Sequence, residues 1–368
     1  MRAALGVLVL AVIAALVVKW GDPGRGTPLW PGARYTEEDR DHAVERGLNF
    51  LYYGFAVKPQ YFREYGHDLL SMFYNIAVTS KSRELRRRAW TMGHERALEW
   101  RRIHPEVPRD ASVDDLTDLV FGHDAAERLG APDAHLRTQL RLMAAQFSVH
   151  NYLLFDPAVE PPPSDLSKEC RKCGHPNPRG VTVCQQCGAK LEMRNRYDLY
   201  QDALINTYTG DRAGITLGAH YVDVLQWLPA MRPYPVRRAD NEADYYAGVY
   251  SATHLVYTYN DYSQFRLSPS CFPDEFEHLK ANLRQAVADK DPETMGEYLD
   301  SLQSFGLTRD DELIRAGFGY LLAAQNPDGS WGNLKDPDPY GRYHPTWTAV
   351  DGLREYRWTK ILPCPSAP

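Results

Sequence analysis

The sequence predicts an all-α protein built from paired helices, with a small cysteine-rich module inserted between two of them. Apolar residues recur at helical spacing, as in Val44, Leu48 and Leu51 and again in Phe318 and Leu321. Turn signals rich in Gly and Pro separate these segments, and few runs alternate apolar with polar residues as strands do. A helix, a turn and a second helix recur along the chain, and each pair must stack on its neighbours to bury a core.

Composition limits the classes of function. With 368 residues, the chain is long enough to bury a large core in one domain that carries an insert. The formal net charge of -6 argues against a nucleic-acid binder that works through bulk electrostatics, so no nucleic-acid partner is expected. Six cysteines are too few for a fold built on disulfides, and four of them lie in one short stretch.

The N-terminus carries an apolar run from Ala3 to Val18. It spans about 24 Å as a helix, slightly less than a hydrocarbon core of about 30 Å. The run is either a short membrane anchor or the apolar part of a signal peptide. No Ala-x-Ala cleavage site follows it, and Trp20 beside Lys19 suits a membrane interface, so we favour a retained anchor.

The predicted anchor makes the protein a single-pass membrane protein, with the membrane as a partner. Arg2 favours a cytoplasmic N-terminus, whereas Lys19 and Arg25 on the other flank oppose it, so the side of the soluble domain stays undecided. The predicted layout is an anchor or signal segment at 1–20, a Gly/Pro-rich linker at 21–36, the first part of the helical domain at 37–163, a zinc ribbon at 164–195, the second part at 196–357 and a tail at 358–368.

Four cysteines form two matched Cys-x2-Cys-Gly turns, at Cys170, Cys173, Cys184 and Cys187. Such turns present four thiolates to one structural Zn²⁺, and a closed four-thiolate site leaves no open position for catalysis. Redox dithiols or disulfides are the alternative. Basic residues around the cysteines suggest a docking face for a protein or for anionic lipid, with an ordinary solvated surface as the alternative.

The two remaining cysteines, Cys271 and Cys364, are isolated, and the sequence does not decide whether they pair.

Near the C-terminus, Gln325, Gly329 and Trp331 form a Gln-x3-Gly-x-Trp motif where a predicted helix ends, and the indole is expected to pack back on that helix.

This motif resembles the QW repeat of the terpenoid-cyclase and protein-prenyltransferase superfamily. The resemblance implies an α/α toroid, in which inner helices ring an apolar cavity and outer helices wrap them. An unrelated turn that carries the motif by chance is the alternative.

The catalytic motifs of that superfamily are largely missing. No Asp-x-Asp-Asp is present, and the partners of a prenyltransferase zinc site are not identifiable beyond His344, which matches the histidine of that site in local pattern. Asp114, Asp115 and Asp118 spell the Asp-Asp-x-x-Asp of ionising terpene synthases. An acidic first turn of a helix explains the same residues more simply.

Four histidines, His67, His220, His254 and His344, each lie near the start of a predicted helix that follows a turn. In a toroid these positions meet at one rim, so the imidazoles are candidate metal ligands or acid–base groups. In the other interpretation, each imidazole satisfies a local partner.

Two functions follow from the sequence. The first is a membrane-anchored scaffold or interaction subunit that binds protein partners through its ribbon. The second is an enzyme of the cyclase or prenyltransferase type that acts on a lipid or isoprenoid in the toroid cavity. The sequence does not decide whether the protein is catalytic.

Overall fold

The computed structural model describes residues 35–167, 170, 173, 175–178, 181–189, 191 and 193–364. This part is predominantly helical, with fourteen α-helices, one π-helical turn and one two-stranded hairpin, which confirms the predicted all-α class. The predicted anchor at 1–20 and most of the linker at 21–36 lie outside the described residues. None of the helices in the described part is both long and apolar enough to cross a bilayer.

Six α-helices precede the cysteine region. They are α1 (Glu37–Leu51), α2 (Pro59–Thr79), α3 (Arg83–Ile103), α4 (Val113–Arg128), α5 (Ala134–Ala144) and α6 (Val149–Leu153). A π-helical turn, Tyr52–Ala56, connects α1 to α2. Capping boxes fix where α1 and α4 begin: Thr36 exchanges hydrogen bonds with Asp39, and Ser112 does so with Asp115.

A two-stranded antiparallel sheet flanks the cysteine region, because β1 (Asp165–Ser167) before it pairs with β2 (Met193–Asn195) after it. The cysteine segment therefore leaves the helical body and returns to it at one place. Eight helices follow: α7 (Arg196–Ala213), α8 (Tyr221–Leu225), α9 (Leu228–Met231), α10 (Glu242–Tyr259), α11 (Pro273–Asp289), α12 (Pro292–Ser304), α13 (Glu312–Ala324) and α14 (Tyr340–Leu353).

Six of the fourteen α-helices contact one another in series, in the order α2, α4, α7, α10, α12 and α14. The series closes where Tyr65 of α2 stacks on Tyr343 of α14, with ring centroids 4.8 Å apart. Other helices pack against this circuit: α3 contacts α2 and α4, α11 contacts α10 and α12, and α13 contacts α12 and α14. We call the closed series the helix circuit.

The Gln-x3-Gly-x-Trp segment connects α13 to α14. Trp331 is fully buried, and its Nε1 donates to the carbonyl of Leu321 at 2.7 Å, so the indole packs on α13 as the sequence predicts. Gly329 has a φ of +92°, and a Cβ there would lie 2.7 Å from the carbonyl oxygen of Arg46. The turn therefore needs glycine both for its left-handed backbone and for its close approach to α1.

The chain ends in a segment that we call the C-terminal strap, residues 354–364. Tyr356 forms a β-bridge with Ser80 at the end of α2, and the amide of Arg266 donates to the carbonyl of Lys360 at 2.8 Å. A disulfide connects Cys364 to Cys271, which settles the pairing that the sequence leaves open. The strap thus joins the end of α2 to the segment after α10.

Candidate functional site

The four cysteines converge on one point. Their sulfur atoms all lie within 4.8 Å of one another, with 3.5 Å between Cys170 and Cys187 and 3.6 Å between Cys173 and Cys184. Buried Leu191 packs against Cys170 and Cys184 in a small apolar cluster separate from the helical core. Four thiols at these distances are compatible with a tetrahedral metal site.

A second candidate site lies inside the helix circuit. It is a cavity of about 250 Å³ whose walls come from α2, α4, α7, α10, α12 and α14, together with Tyr262 and Arg354. Its ionisable lining, apart from the tyrosines, consists of Asp68, Arg212, His254, Glu297, Asp300, His344, Asp351 and Arg354. All six helices of the circuit therefore contribute to one polar cavity.

Helix α12 supplies two of the carboxyl groups. Glu297 and Asp300 are three residues apart and so share one helix face. Burial raises the pKa of Glu297 to about 8. Burial and the nearby charge of Asp351 raise the pKa of Asp300 as well. The Ser263 hydroxyl donates to Asp300 Oδ1 at 2.8 Å.

A short hydrogen bond joins Thr253 to the carboxyl group of Glu297. Thr253 Oγ1 lies 2.5 Å from Glu297 Oε2 and 3.1 Å from the carbonyl oxygen of Tyr250. A threonine hydroxyl has a single proton to donate. Thr253 donates this proton to Glu297 Oε2. The hydrogen bond favours the charged form of Glu297, but it lowers the pKa of that carboxyl group by less than burial raises it.

The imidazole of His344 is charged by its surroundings. Its Nδ1 lies 3.0 Å from Glu293 Oε1, and Tyr250 donates to the same oxygen at 2.9 Å. Burial would lower the pKa of His344, but the neighbouring carboxylate of Glu293 outweighs burial and raises the pKa to about 9. The pKa of Glu293 is lowered overall. Burial raises it, but the charge of His344 and the hydrogen bonds from His344 and Tyr250 have the larger effect.

The remaining charges of the cavity are paired. Asp351 accepts hydrogen bonds from Trp347 Nε1 and from Arg354 Nε, each at 2.7 Å. Arg354 also donates to Thr79 Oγ1 at 2.8 Å. Arg212 Nη2 lies 2.7 Å from a carboxylate oxygen of Asp124. Asp68 differs from these groups, because its side chain is 34% exposed and its near neighbour is His67 at 3.6 Å.

The structure brings two of the four predicted histidines into the cavity, His254 and His344. The predicted position near a helix start is wrong for His67 and His254, which lie in the interior of α2 and α10. Burial lowers the pKa of His254 to about 4, and its Nδ1 lies 2.7 Å from the Tyr250 carbonyl oxygen. His67 does not line the cavity but lies between Asp68 and Asp118, with Nε2 3.5 Å from Asp118 Oδ1. His220 is 62% exposed, contacts Asp211 at 2.7 Å and does not line the cavity.

Metal ligation by these histidines finds no support in the described residues. Among them, the cysteines form the one group of three or more His, Cys, Asp or Glu side chains close enough to share an ion. Within the Asp-Asp-x-x-Asp motif, Asp115 serves the capping box of α4, and Asp118 faces His67. The acidic residues of this motif therefore make local contacts near the start of α4, as the helix-first-turn interpretation predicts.

A strained segment follows α10 and enters the cavity wall. Asp261, Tyr262 and Ser263 have φ values of 54°, 48° and 66°, the left-handed region that residues other than glycine rarely adopt. Tyr262 lines the cavity, Ser263 contacts Asp300, and Asp261 accepts from Tyr208. Backbone strain of this kind is concentrated at functional sites, where the surrounding structure enforces it.

Sequence reasoning did not single out the cavity carboxyls of Glu297, Asp300, Asp351 and Asp68. One signal was available. Glu297 and Asp300 interrupt the apolar segment from Met295 to Leu302, so they share the buried surface of a helix. Carboxyl groups are almost never fully buried without a partner or a role, which makes such positions candidates.

Comparison of the chain with protein-family models, with curated proteins and with solved structures finds no match. The geometry of the two sites is therefore what indicates a function.

Proposed function

We propose that the protein is an enzyme that performs general acid–base catalysis on a small polar substrate held within the helix circuit. The observation that carries the proposal is the shared cavity itself. It combines carboxyl groups in different environments: Glu297 is buried and hydrogen-bonded to Thr253, whereas Asp68 is reached by solvent. Pairs of carboxyl groups whose environments separate their pKa values are typical of acid–base active sites.

The proposed roles follow from these environments. Glu297 is the general acid, because its buried carboxyl group holds a proton that it can release to a developing oxyanion. Asp68 is the general base, since a water molecule can reach its partly exposed carboxylate. Asp351 and the pair formed by His344 and Glu293 fix the charge and shape of the cavity wall.

The lining favours a polar substrate over the lipid or isoprenoid implied by the resemblance. A hydrocarbon chain would remove water from Asp68, Asp351 and Arg212 without returning hydrogen bonds, which is costly for charged groups. We also propose that the helix circuit is an α/α toroid. The support for this is the serial contact of six helices and the packing of Trp331 on α13.

We further propose that the cysteine cluster holds a structural Zn²⁺. Four sulfurs bound at about 2.3 Å to a tetrahedral zinc ion stand about 3.8 Å apart. The Sγ–Sγ distances of 3.5 and 3.6 Å are close to that value. Docking of a partner protein through the ribbon, which a scaffold function requires, remains a second proposal. It is supported by the separation of the cysteine cluster from the helical core.

The acid–base proposal is tested with the full-length protein and the variant Glu297→Gln. We expect turnover of a polar substrate in a panel of hydrolase and lyase substrates. The variant should lower kcat by roughly 10²- to 10⁴-fold, the usual contribution of a general acid. Glu84→Gln is the matched control, because Glu84 is exposed on α3 and, within the described part of the chain, forms its hydrogen bonds and ion pair with Arg87.

Melting curves establish that both variants are folded before their rates are compared. If the Glu297→Gln variant turns over every accepted substrate as fast as the unmodified protein does, the acid–base proposal is wrong.

A further inference from the structure

We infer that the cavity of the helix circuit binds one neutral sugar ring and that the reaction is hydrolysis of the glycosidic bond of that sugar. The inference rests on the proposed acid–base function and adds the substrate class. Four observations carry it: uncommitted neutral hydrogen-bonding groups, paired charges, aromatic ring faces and a small volume.

Neutral hydrogen-bonding groups are available on two neighbouring walls of the cavity. Asn75 of α2 and Gln201 of α7 line it with carboxamide side chains, and Thr209 adds a hydroxyl. Asn75 is only 6% exposed, and no hydrogen bond joins its amide or that of Gln201 to another described residue. Amide groups that the protein leaves unpaired take water or a ligand as their partner. A carboxamide both donates and accepts, which matches the hydroxyl groups of a sugar.

The charges of the lining disfavour an anionic substrate. No lysine is among the described lining residues, and both arginines already contact carboxylates: Arg212 contacts Asp124, and Arg354 contacts Asp351. The His344 imidazole is likewise paired with Glu293. A phosphate or carboxylate would have to compete with these carboxylates for each cation. A neutral polyhydroxylated ligand avoids this competition and uses the free amides instead.

Aromatic rings supply a surface for the apolar face of a sugar. Trp347 lines the cavity and is held in place by its Nε1 bond to Asp351. Tyr257 and Tyr262 stack with ring centroids 6.2 Å apart and line the same space. The negative face of an aromatic ring attracts groups of partial positive charge, such as the C–H bonds of a pyranose.

The volume limits the ligand to about one ring. Cavities for drug-sized ligands occupy about 300 to 1,000 Å³, whereas this cavity has about 250 Å³. The strap closes the circuit on the side where α2 and α14 end, because Arg354 and Tyr356 contact Thr79 and Ser80 there. A single terminal sugar fits this space better than the interior of a polysaccharide does.

The reaction then proceeds with water as the second reactant. Glu297 donates its proton to the glycosidic oxygen, and the bond between that oxygen and the anomeric carbon breaks. The oxygen of a water molecule bonds to the anomeric carbon, and Asp68 accepts the proton that this water loses. The products are the free sugar and an alcohol, and proton exchange with solvent returns both carboxyl groups to their starting states.

The test uses 4-nitrophenyl α- and β-glycosides of neutral hexoses, pentoses and N-acetylhexosamines with the full-length protein. We expect at least one of them to be hydrolysed. For that sugar, Glu297→Gln should slow hydrolysis of the methyl glycoside by roughly 10²- to 10⁴-fold. It should largely spare the 2,4-dinitrophenyl glycoside, because so acidic a leaving group needs no proton. Asn75→Ala should raise KM with little change in kcat, and Glu84→Gln should change neither.

The failures are distinguishable. If no glycoside is hydrolysed while another polar substrate is turned over in a manner that depends on Glu297, the sugar inference is overturned and the acid–base function stands. If a glycoside is hydrolysed but Glu297→Gln slows the methyl and dinitrophenyl substrates equally, Glu297 is not the acid of this step. If Glu297→Gln leaves every turnover unchanged, the proposed function itself fails.

Discussion

The cysteine cluster and the cavity are built in opposite ways. All four thiols of the cluster lie between Cys170 and Cys187, on two turns of the same form. The polar groups of the cavity are spread from Asp68 to Arg354 and come from six helices. Once a metal is bound, all four thiolates of such a cluster are ligands, and none is left to bind a substrate. The cavity is mixed in charge and keeps amides such as Asn75 free. The first arrangement suits a structural role, and the second suits recognition and chemistry.

The largest expected effect concerns the cluster. The double variant Cys170→Ser/Cys173→Ser removes half of the thiolates, and structural zinc binding by four ligands contributes about 10 to 16 kcal/mol in small zinc domains. We expect bound zinc, measured by metal analysis, to fall from one ion per chain to none. The far-UV circular dichroism of the helices should hardly change, because the cluster packs apart from the helical core.

Cys271→Ser/Cys364→Ser is the matched control for this experiment, since it also removes two cysteines and should keep the zinc. Loss of the helical signal together with the zinc would show that the cluster and the helical domain fold as one unit, contrary to this prediction.

The second effect concerns the strap. The disulfide between Cys271 and Cys364 closes a loop with a sequence separation of 93 residues. Disulfides restrict the unfolded chain and typically add about 2 to 4 kcal/mol. We expect Cys271→Ser/Cys364→Ser to lower the free energy of unfolding by that amount in urea titrations. Reduction of the unmodified protein should have the same effect. Equal stability of the oxidised, reduced and substituted proteins would contradict this prediction.

The two regions also differ in how far the sequence reveals them. The four clustered cysteines can be found in the sequence because a zinc site, if they form one, requires this residue type at this spacing. Helical periodicity and the turn before Trp331 are local as well, and the structure agrees with both. Glu297 and Asp300 follow the same i, i+3 spacing that a solvated helix face shows. Only the packing of α12 inside the circuit turns that face toward a cavity.

The histidines illustrate the limit most directly. His220 and His344 carry the same sequence signal, an imidazole near the start of a helix after a turn. In the structure, the side chain of His220 is 62% exposed beside Asp211, whereas that of His344 is only 17% exposed beside Glu293. Asp211 is nine residues from His220, but Glu293 is 51 residues from His344 and on another helix. A local signal cannot separate the two cases, because the difference lies in a contact between distant segments.

The smallest effect tests whether Glu297 holds a proton in the folded protein. Burial raises the pKa of Glu297 from 4.5 to about 8. A carboxyl group of this kind binds its proton more tightly in the folded state, so its contribution to stability is complete below pH 4.5 and is lost as the pH rises toward 8. Between pH 7 and pH 8 the loss is about 1 kcal/mol. Glu297→Gln removes this titration, because glutamine is neutral throughout.

We therefore expect the unfolding free energy of the unmodified protein to fall by about 1 kcal/mol more than that of Glu297→Gln between pH 7 and pH 8. The measurement is urea denaturation at several pH values, with Glu84→Gln expected to follow the unmodified protein. Groups elsewhere titrate alike in all three proteins, so the comparison isolates Glu297 and its coupling to His344. Parallel curves for the unmodified protein and Glu297→Gln would mean that Glu297 is already ionised at neutral pH. Glu297 would then be a paired structural carboxylate, as Asp351 is, and the cavity would lose its proton donor.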